Sequence, residues 1–189
     1  MGDSPFEEME AHEHAQHASH AAHENSPLIS QVTMTIAVMA VIAAIGASLE
    51  TTEGDKTIVA KNEAVLLQNQ ATDQWNEYEA KSLKKNLYAI AADEAGPKAA
   101  AYARISAQNA DDQKPLMAKA KSLEAARDKK SEEAEVHEKR HGRLTLASTL
   151  LHMAIAIATL AIILKQRWPW FSALGLTVVG LGLGVWAYL

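Results

Sequence analysis

The sequence contains no cysteine among its 189 residues. This absence excludes a disulfide framework, an iron–sulfur cluster, a thiolate zinc site and a cysteine nucleophile. Basic residues are not in excess either: 18 Lys and Arg stand against 23 Asp and Glu. A general nucleic-acid binder needs a basic face, so we expect no nucleic-acid partner. The sequence also lacks a P-loop, a dinucleotide fingerprint, an HExxH motif and a nucleophile elbow. We therefore expect no enzymatic activity and no cofactor.

What the sequence does contain is three long apolar runs. The first, residues 28–49, has 22 residues and no charged side chain. At the helical rise it reaches about 33 Å, enough to cross a hydrocarbon core of ~30 Å. The second run, residues 144–164, has one ionisable residue, His152, and the third covers residues 168–189. Trp168 and Trp186 stand near the ends of the third run, as at membrane interfaces. The runs predict three transmembrane helices rather than buried core helices.

The first run is predicted to be a signal anchor that stays in the protein. A cleavable signal peptide has positive charge before its apolar stretch. Residues 1–27 instead contain no Lys or Arg and six acidic residues. The prediction is that residues 1–27 form an acidic, His-rich, disordered tail that precedes the anchor.

Three spans place the tail and the short turn 165–167 on one side of the membrane. Residues 50–143 and the C-terminus then lie on the other side. Lys165 and Arg167 favour a cytoplasmic turn, because short loops carry the positive-inside signal. Five basic residues beside the spans oppose this orientation: Lys56, Lys61, Lys139, Arg140 and Arg143. Long segments translocate largely regardless of charge, so we predict that residues 50–143 lie outside the cytoplasm.

Residues 50–143 are predicted to form an extramembrane, antiparallel, coiled-coil-like helical hairpin. Gly54 and Asp55 are expected to interrupt the chain after the first span, and Gly96-Pro97 to end a helix over residues 57–95. A short helix is expected over residues 98–107.

Turn chemistry is expected over residues 109–115 (NADDQKP). A nearly continuous helix follows from about residue 116 to residue 164. Its acids and bases interleave between residues 127 and 143, as on the exposed face of a long helix. This helix supplies the second arm of the hairpin and continues into the second span.

The apolar stripe of the first arm is thin. Its residues recur largely at helical spacing; they are Ile58, Val65, Leu66, Ala71, Trp75, Tyr78, Leu83, Leu87 and Ile90. Phenylalanine occurs only twice in the whole sequence, and many stripe positions in the two arms are alanine. A two-helix stalk of this kind buries little surface and is marginal alone. We expect stalks from several chains to pack together, or the stalk to pack on a partner.

The run Ala71–Ile90 (ATDQWNEYEAKSLKKNLYAI) carries a D-Q-W-x-x-Y-x-A-K motif. The motif is formed by Asp73, Gln74, Trp75, Tyr78, Ala80 and Lys81. With the order of tail, span, charged helix and two-helix membrane hairpin, it resembles a bacterial family of integral membrane proteins catalogued as domain of unknown function 4337. The resemblance implies a multi-pass protein of the bacterial inner membrane with a cytoplasmic basic turn, and it implies no known activity. The His- and Glu-rich tail departs from the family pattern, which has some basic residues there.

The tail offers a possible metal site. Five histidines are interleaved with Ala and Glu: His12, His14, His17, His20 and His23. Neutral imidazoles are common ligands for Zn, Ni and Cu. The alternatives are a soluble disordered tail of low complexity and a pH-responsive helix at the membrane surface.

Within the apolar runs, three residues stand out. His152 lies about 12 Å into the second span by the helical rise, where ionisable residues are rare and usually functional. A bond to Thr177, Thr149 or a backbone carbonyl would satisfy it, and a role in proton or ion handling is the alternative. Gly180 and Gly184 form a G-x-x-x-G pattern that favours close helix packing, either within one chain or between chains.

In the stalk, Trp75 and Tyr78 are expected to face inward in a coiled-coil layer. A partner-binding spot that also includes Asp73 and Gln74 is the alternative, because Trp and Tyr are enriched at hot spots. The sequence therefore predicts an all-α integral membrane protein with three transmembrane helices. Its predicted role is a non-enzymatic scaffold or accessory subunit that oligomerises or joins a larger inner-membrane complex through its helical stalk and its third span. Alternative functions are a metal- or pH-responsive regulator that uses the tail, and a subunit of an ion or proton pathway that uses His152.

Overall fold

A computed structural model describes residues 27–94 and 96–189. Three α-helices make up nearly all of this part of the chain: α1 (Pro27–Glu94), α2 (Ala99–Leu164) and α3 (Trp168–Trp186). A 3-10 turn, Gly96–Lys98, precedes α2. The described part of the chain contains no strand. Each long helix carries a stretch long and apolar enough to cross a membrane. The prediction of an all-α chain is confirmed for the described residues.

The predicted interruption at Gly54 and Asp55 is wrong, because α1 runs through both residues. A Cβ atom on Gly54 would lie 3.3 Å from both Cε1 and Nδ1 of His141. Glycine at this position lets the imidazole ring approach the α1 backbone closely. Its role is close packing, and its freedom to leave the helical conformation is not used.

The predicted turn over residues 109–115 is also wrong, because α2 continues through this segment with Pro115 inside it. Asn109 and Gln113, one helical turn apart, are both buried. The Asn109 amide donates to the Ile105 carbonyl at 2.8 Å, and the Gln113 amide lies 3.5 Å from the Tyr78 carbonyl of α1. Burial of this face holds the segment helical although its residue types favour a turn.

The chain divides into two compact units. We call residues 27–55 and 136–189 the apolar unit, and residues 56–135 the polar unit. In the apolar unit the core is formed by Val32, Ile36, Met39, Ala43, Leu151, Ala154, Ile155, Ala158, Ala161 and Ala173. Large apolar side chains also cover its outer face, for example Met34, Val41 and Ile163. An outer surface as apolar as the core is typical of helices that face lipid.

A three-residue connection joins α2 to α3 in the apolar unit, at the position of the predicted basic turn 165–167. Lys165 adopts a left-handed backbone with φ of 52°. The backbone N–H of Gln166 donates to the Ala161 carbonyl at 3.3 Å. This left-handed residue, which commonly ends a helix, lets the chain reverse tightly before Trp168.

In the polar unit, the buried apolar side chains are all alanines: Ala60, Ala64, Ala71, Ala120 and Ala134. Side-chain contacts between its helices run in opposite sequence order. Gln68 meets Arg127, Trp75 meets Glu124, Lys81 meets Asp112, and Tyr88 meets Tyr102. Rising numbers on α1 thus pair with falling numbers on α2, which is the order of an antiparallel helix pair.

The predicted apolar stripe of the first arm does not form one face. Ala71 is buried and Trp75 and Tyr78 are partly buried, but Leu83, Leu87 and Ile90 are exposed. Each short step, such as Leu83 to Leu87, is helical spacing. From Tyr78 to Leu83, however, the helix turns through about 500°, which places Leu83 on roughly the opposite side. The stripe is therefore two faces of α1, and only the first packs against α2.

Candidate functional site

A cluster of carboxylate and imidazole groups lies in the apolar unit, just beyond the apolar stretch of α1. Glu50 and Glu53 stand three residues apart on α1. His137, His141 and Thr145 stand four residues apart on α2 and so share one face of that helix. The two rows meet, and every member makes a polar contact across the helix pair.

Glu53 is the buried centre of this cluster, which we call the Glu–His cluster. Its residue is only 2% exposed, and the His137 Nδ1 atom lies 2.6 Å from its Oε2 atom. The His137 side chain is itself 15% exposed. A carboxylate this deeply buried needs a hydrogen-bonded or charged partner, because loss of its hydration is costly. The His137 ring is such a partner and donates through Nδ1.

The second half of the cluster ties Glu50 to α2. The His141 Nδ1 atom donates to the Glu50 backbone carbonyl at 3.0 Å. The Thr145 hydroxyl lies 2.7 Å from Glu50 Oε1 and 3.0 Å from the His141 carbonyl. Since a carbonyl can only accept, His141 carries its proton on Nδ1. The Glu50 contacts and Glu53–His137 fix the register between α1 and α2 at this end of the apolar unit.

The Glu–His cluster sets imidazole and hydroxyl groups of α2 against carboxylate and carbonyl acceptors of α1. Among the residues that the structure describes, no three His, Cys, Asp or Glu side chains are placed to hold a metal ion. The geometry of the cluster is therefore that of directional hydrogen bonds that join α1 to α2.

Basic and aromatic side chains lie at the same end of α2. The Arg143 guanidinium stacks over the Trp186 ring at 4.1 Å from its centroid and donates to the Trp186 carbonyl at 3.0 Å. Arg140 lies 5.3 Å from the Tyr188 ring centroid. These cation–π contacts fix the C-terminal end of α3 against the start of the apolar part of α2. Arg and Trp at such a boundary are typical of membrane interfaces.

The tryptophan motif of the sequence occupies the helix seam of the polar unit. The Trp75 indole N–H donates to Glu124 Oε1 at 2.9 Å, and its ring meets Tyr78 edge to face at 5.5 Å. Gln74 is partly buried, whereas Asp73 is exposed on the far side of α1. The motif residue Lys81 pairs with Asp112 at 2.7 Å. The structure thus brings Trp75 and Tyr78 together and leaves Asp73 away from them.

The two glycines of the third apolar run have different surroundings. A Cβ atom on Gly180 would lie 3.2 Å from the Ala147 carbonyl and 3.3 Å from Leu151 Cγ, so Gly180 packs against α2 of its own chain. Near Gly184 a Cβ atom would lie 3.9 Å from Ala147 Cβ, an ordinary contact.

His152 lies on the exposed side of α2 within the apolar unit. Its Nδ1 atom bonds the Ser148 carbonyl at 2.9 Å, which is one of the three arrangements expected from the sequence. Thr177 bonds the Ala173 carbonyl of its own helix instead. The five tail histidines, His12, His14, His17, His20 and His23, lie outside the described residues.

Sequence reasoning missed the Glu–His cluster. Two signals pointed to it: His137 and His141 at helical spacing just before an apolar run, and Glu50 and Glu53 just after another. Their pairing follows only when the two runs are known to lie side by side.

Over residues 27–94 and 96–189, the fold and these contacts define a class: a helical chain with three helices that are each long and apolar enough to cross a membrane. The family described as Domain of unknown function (DUF4337) matches residues 28–189. The chain belongs to this family, as the sequence resemblance predicted. No curated protein and no solved structure matches it.

Proposed function

We propose that this protein is a non-enzymatic scaffold or accessory subunit of the bacterial inner membrane. Residues 28–49, 144–164 and 168–189 cross the bilayer, with the tail and the 165–167 turn in the cytoplasm. Residues 50–143 form an antiparallel hairpin on the periplasmic side and make the contacts of assembly. Its partners are the lipid bilayer and either further copies of the chain or other membrane proteins.

The observation that carries this proposal is the exposure of large apolar side chains in the polar unit. Leu83, Leu87 and Ile90 are 69%, 63% and 62% exposed on a helix whose own seam is built from alanine. Lipid does not account for this surface, because the polar unit contains none of the three apolar runs. Contiguous exposed apolar surface in a soluble segment marks an interaction site.

The outer surface of the apolar unit supports the membrane placement. Ser148 and Thr177 are buried inside the unit, whereas Met34, Val41 and Ile163 are exposed outside it. Membrane helices commonly pack through small and polar residues and present large apolar residues to the outside. The stacking of Arg143 on Trp186 supports a membrane boundary at that end.

The first test is the mass and composition of the particle extracted from native membranes in mild detergent. A homo-oligomer, or a complex with other membrane proteins, is the expected result. A bare monomer at native abundance would refute the proposal. A variant with Leu83, Leu87 and Ile90 changed to Ser should shift the particle towards monomer, whereas Val41→Ser, which alters the outer surface of the apolar unit, should not.

The two alternative functions have tests of their own. Deletion of residues 1–26 would abolish a metal- or acid-dependent response in a regulator and leave the assembly of a scaffold intact. The substitution His152→Leu would abolish transport in an ion or proton pathway. His152 is exposed, and its Nδ1 atom contacts a backbone carbonyl of its own helix and not a titratable side chain.

A further inference from the structure

The exposed apolar side chains of the polar unit belong to one helix only. Seven large apolar residues are between 57% and 69% exposed there. They are Ile58, Val59, Val65, Leu66, Leu83, Leu87 and Ile90, and all lie on α1. Residues 99–135 of α2 contribute none to this set. The unpartnered surface is therefore a face of α1.

Five of these seven residues lie in two series of positions that are spaced seven residues apart. One series of positions is Asn62, Asn69, Asn76, Leu83 and Ile90. A second series, three residues earlier, is Val59, Leu66, Asp73, Ala80 and Leu87. All ten side chains are exposed. Two interleaved series at this spacing match the a and d positions of a coiled coil. The series that begins at Val59 takes the a positions, and the series that begins at Asn62 takes the d positions. We call the two series the heptad face.

The side of α1 that contacts α2 follows a different series. Ala64, Ala71, Tyr78 and Lys85 are also seven residues apart, and all four are buried or partly buried. In the coiled-coil numbering of the heptad face they occupy the f position, on the far side of the helix. Helix α1 thus has one face already used within the chain and a second face that is free.

Three asparagines in register indicate what covers the free face. An Asn carboxamide carries both donors and acceptors, so it can satisfy an identical group opposite itself. A polar residue in a coiled-coil seam costs stability, and at an a position it is known to specify register; here the three asparagines occupy d positions of the same seam. A second copy in parallel alignment places Asn62, Asn69 and Asn76 each opposite its own counterpart.

The flanking charges agree with the same alignment. In a parallel coiled coil, the g position of one helix lies near the e position five residues later on the other helix. Here that rule pairs Glu79 with Lys84 of the partner subunit, and by symmetry the pair occurs twice. Both side chains are exposed, and neither forms an ion pair within the described residues.

Resting on the proposed function, we propose that two copies pair through the heptad face of α1, parallel and in register. Parallel alignment also follows from membrane insertion, since Val59 lies ten residues after the first span in both copies. One position opposes the pairing: Asp73 would lie opposite the same carboxylate of the second copy. Its repulsion makes the association weaker and gives the pairing a distinctive test.

The absence of cysteine from the sequence makes disulfide mapping direct. Ala80→Cys places a thiol in the heptad face. Ala89→Cys is the matched control, because it makes the same substitution at another exposed position of α1, outside the a and d series. After mild oxidation in native membranes, Ala80→Cys should form at least about tenfold more covalent dimer than Ala89→Cys, because only the former places the two thiols face to face. Equal dimer yields would overturn the proposal.

The second experiment combines Asp73→Asn with Ala80→Cys. The yield of covalent dimer is measured at several protein densities in the membrane. Removing a like-charge contact should raise the apparent association constant roughly two- to fivefold. Glu132→Gln removes an exposed carboxylate from α2 and should change nothing. A partner other than a second copy gives no gain on Asp73→Asn, and that result would also overturn the proposal.

These results separate the inference from the function on which it rests. If the detergent-extracted particle is a complex but Ala80→Cys gives no covalent dimer, the parallel pairing is wrong and the scaffold proposal stands. If the particle is a monomer, both are wrong. Circular dichroism of each cysteine variant checks that its helix content is unchanged.

Discussion

The helices pack by different means within each of the two units of this protein. In the apolar unit, Val32, Ile36 and Met39 of α1 pack against Leu151 and Ile155 of α2 in a continuous apolar core. In the polar unit, the buried apolar side chains are alanines, and the two helices are joined by polar contacts such as Trp75–Glu124 and Lys81–Asp112.

This difference shows that one long helix, α1, is packed by large apolar side chains in one unit and by small ones in the other. Large apolar side chains fill the seam of the apolar unit, where α1 also presents large apolar side chains outward. In the polar unit alanine lets the helices approach closely, and the large side chains of α1 lie on the other face. Close packing of small residues forgoes much of the burial that stabilises a water-soluble helix pair. The polar unit therefore buries no large apolar side chain completely.

The largest loss of stability is expected from a substitution in the Glu–His cluster of the apolar unit. Glu53→Ala leaves the mostly buried His137 without its partner and should lower the free energy of unfolding by about 3 kcal/mol. Thermal unfolding in detergent measures the loss. Glu132→Ala, on the exposed face of α2 in the polar unit, is the control and should leave stability within about 0.5 kcal/mol. Equal losses for the two variants would show that the Glu–His cluster does not hold the helices.

Close packing of α3 is the next feature to break. Gly180→Leu places side-chain atoms against the Ala147 carbonyl and Leu151, 3.2 and 3.3 Å from the new Cβ. Overpacking of this kind should cost about 2 kcal/mol. Gly182→Leu is matched in chemistry, but nothing lies within 4 Å of its Cβ position. Unfolding midpoints should separate the two variants, and an equal drop would contradict the packing of Gly180 on α2.

A single hydrogen bond tests the polar seam. Trp75→Phe keeps an aromatic ring beside Tyr78 but removes the N–H that donates to Glu124. The expected loss is about 1.5 kcal/mol, the lower end of the range for a hydrogen bond to a charged acceptor, because the seam is partly exposed. Tyr78→Phe removes only a hydroxyl group and serves as the control. If both variants unfold at the same temperature, the indole N–H contributes nothing to the seam.

The smallest effect concerns an exposed ion pair and its pH dependence. The carboxylate of Glu133, hydrogen-bonded to Lys130, raises the pKa of that ammonium above its ordinary 10.5, and Glu63 adds to the rise. Because the pKa is raised on folding, the stabilisation is fully present below pH 10.5. It is lost as the pH rises through the higher folded value.

The stability gap between the wild type and Lys130→Gln should therefore be constant at lower pH and shrink above pH 10.5. Added salt should also narrow the gap, because exposed pairs are screened. Lys129→Gln, one residue away on an exposed position, should show no pH-dependent gap. Unfolding midpoints of the wild type and both variants, recorded below and above pH 10.5, measure these gaps.

The sequence predicted elements better than it predicted their boundaries. The three apolar runs, the stop at Gly96 and Pro97 and the connection at 165–167 could be read from residue types. The breaks predicted at Gly54 and at residues 109–115 failed for one reason. Glycine, asparagine and proline are ambiguous signals, because packing can use them inside a helix. His141 lies against Gly54, and Asn109 and Gln113 are buried in α2.

The candidate site shows the same division. The tryptophan motif was visible in the sequence because its residues are local, whereas the Glu–His cluster joins residues more than 80 positions apart. Periodicity could list the apolar residues of the first arm but could not say which ones face α2. That choice depends on how far the helix turns between Tyr78 and Leu83.

The sequence by itself determined that this chain is helical, that three stretches are apolar enough for a membrane, and that it belongs to its family. These properties depend on composition and short-range spacing, which any segment carries with it. Only the tertiary structure decided that Glu53 meets His137, that Gly180 packs within its own chain, and that one heptad face of α1 is left free. Each of these depends on which side of a helix another helix occupies, and that is settled by the packing of residues distant in sequence.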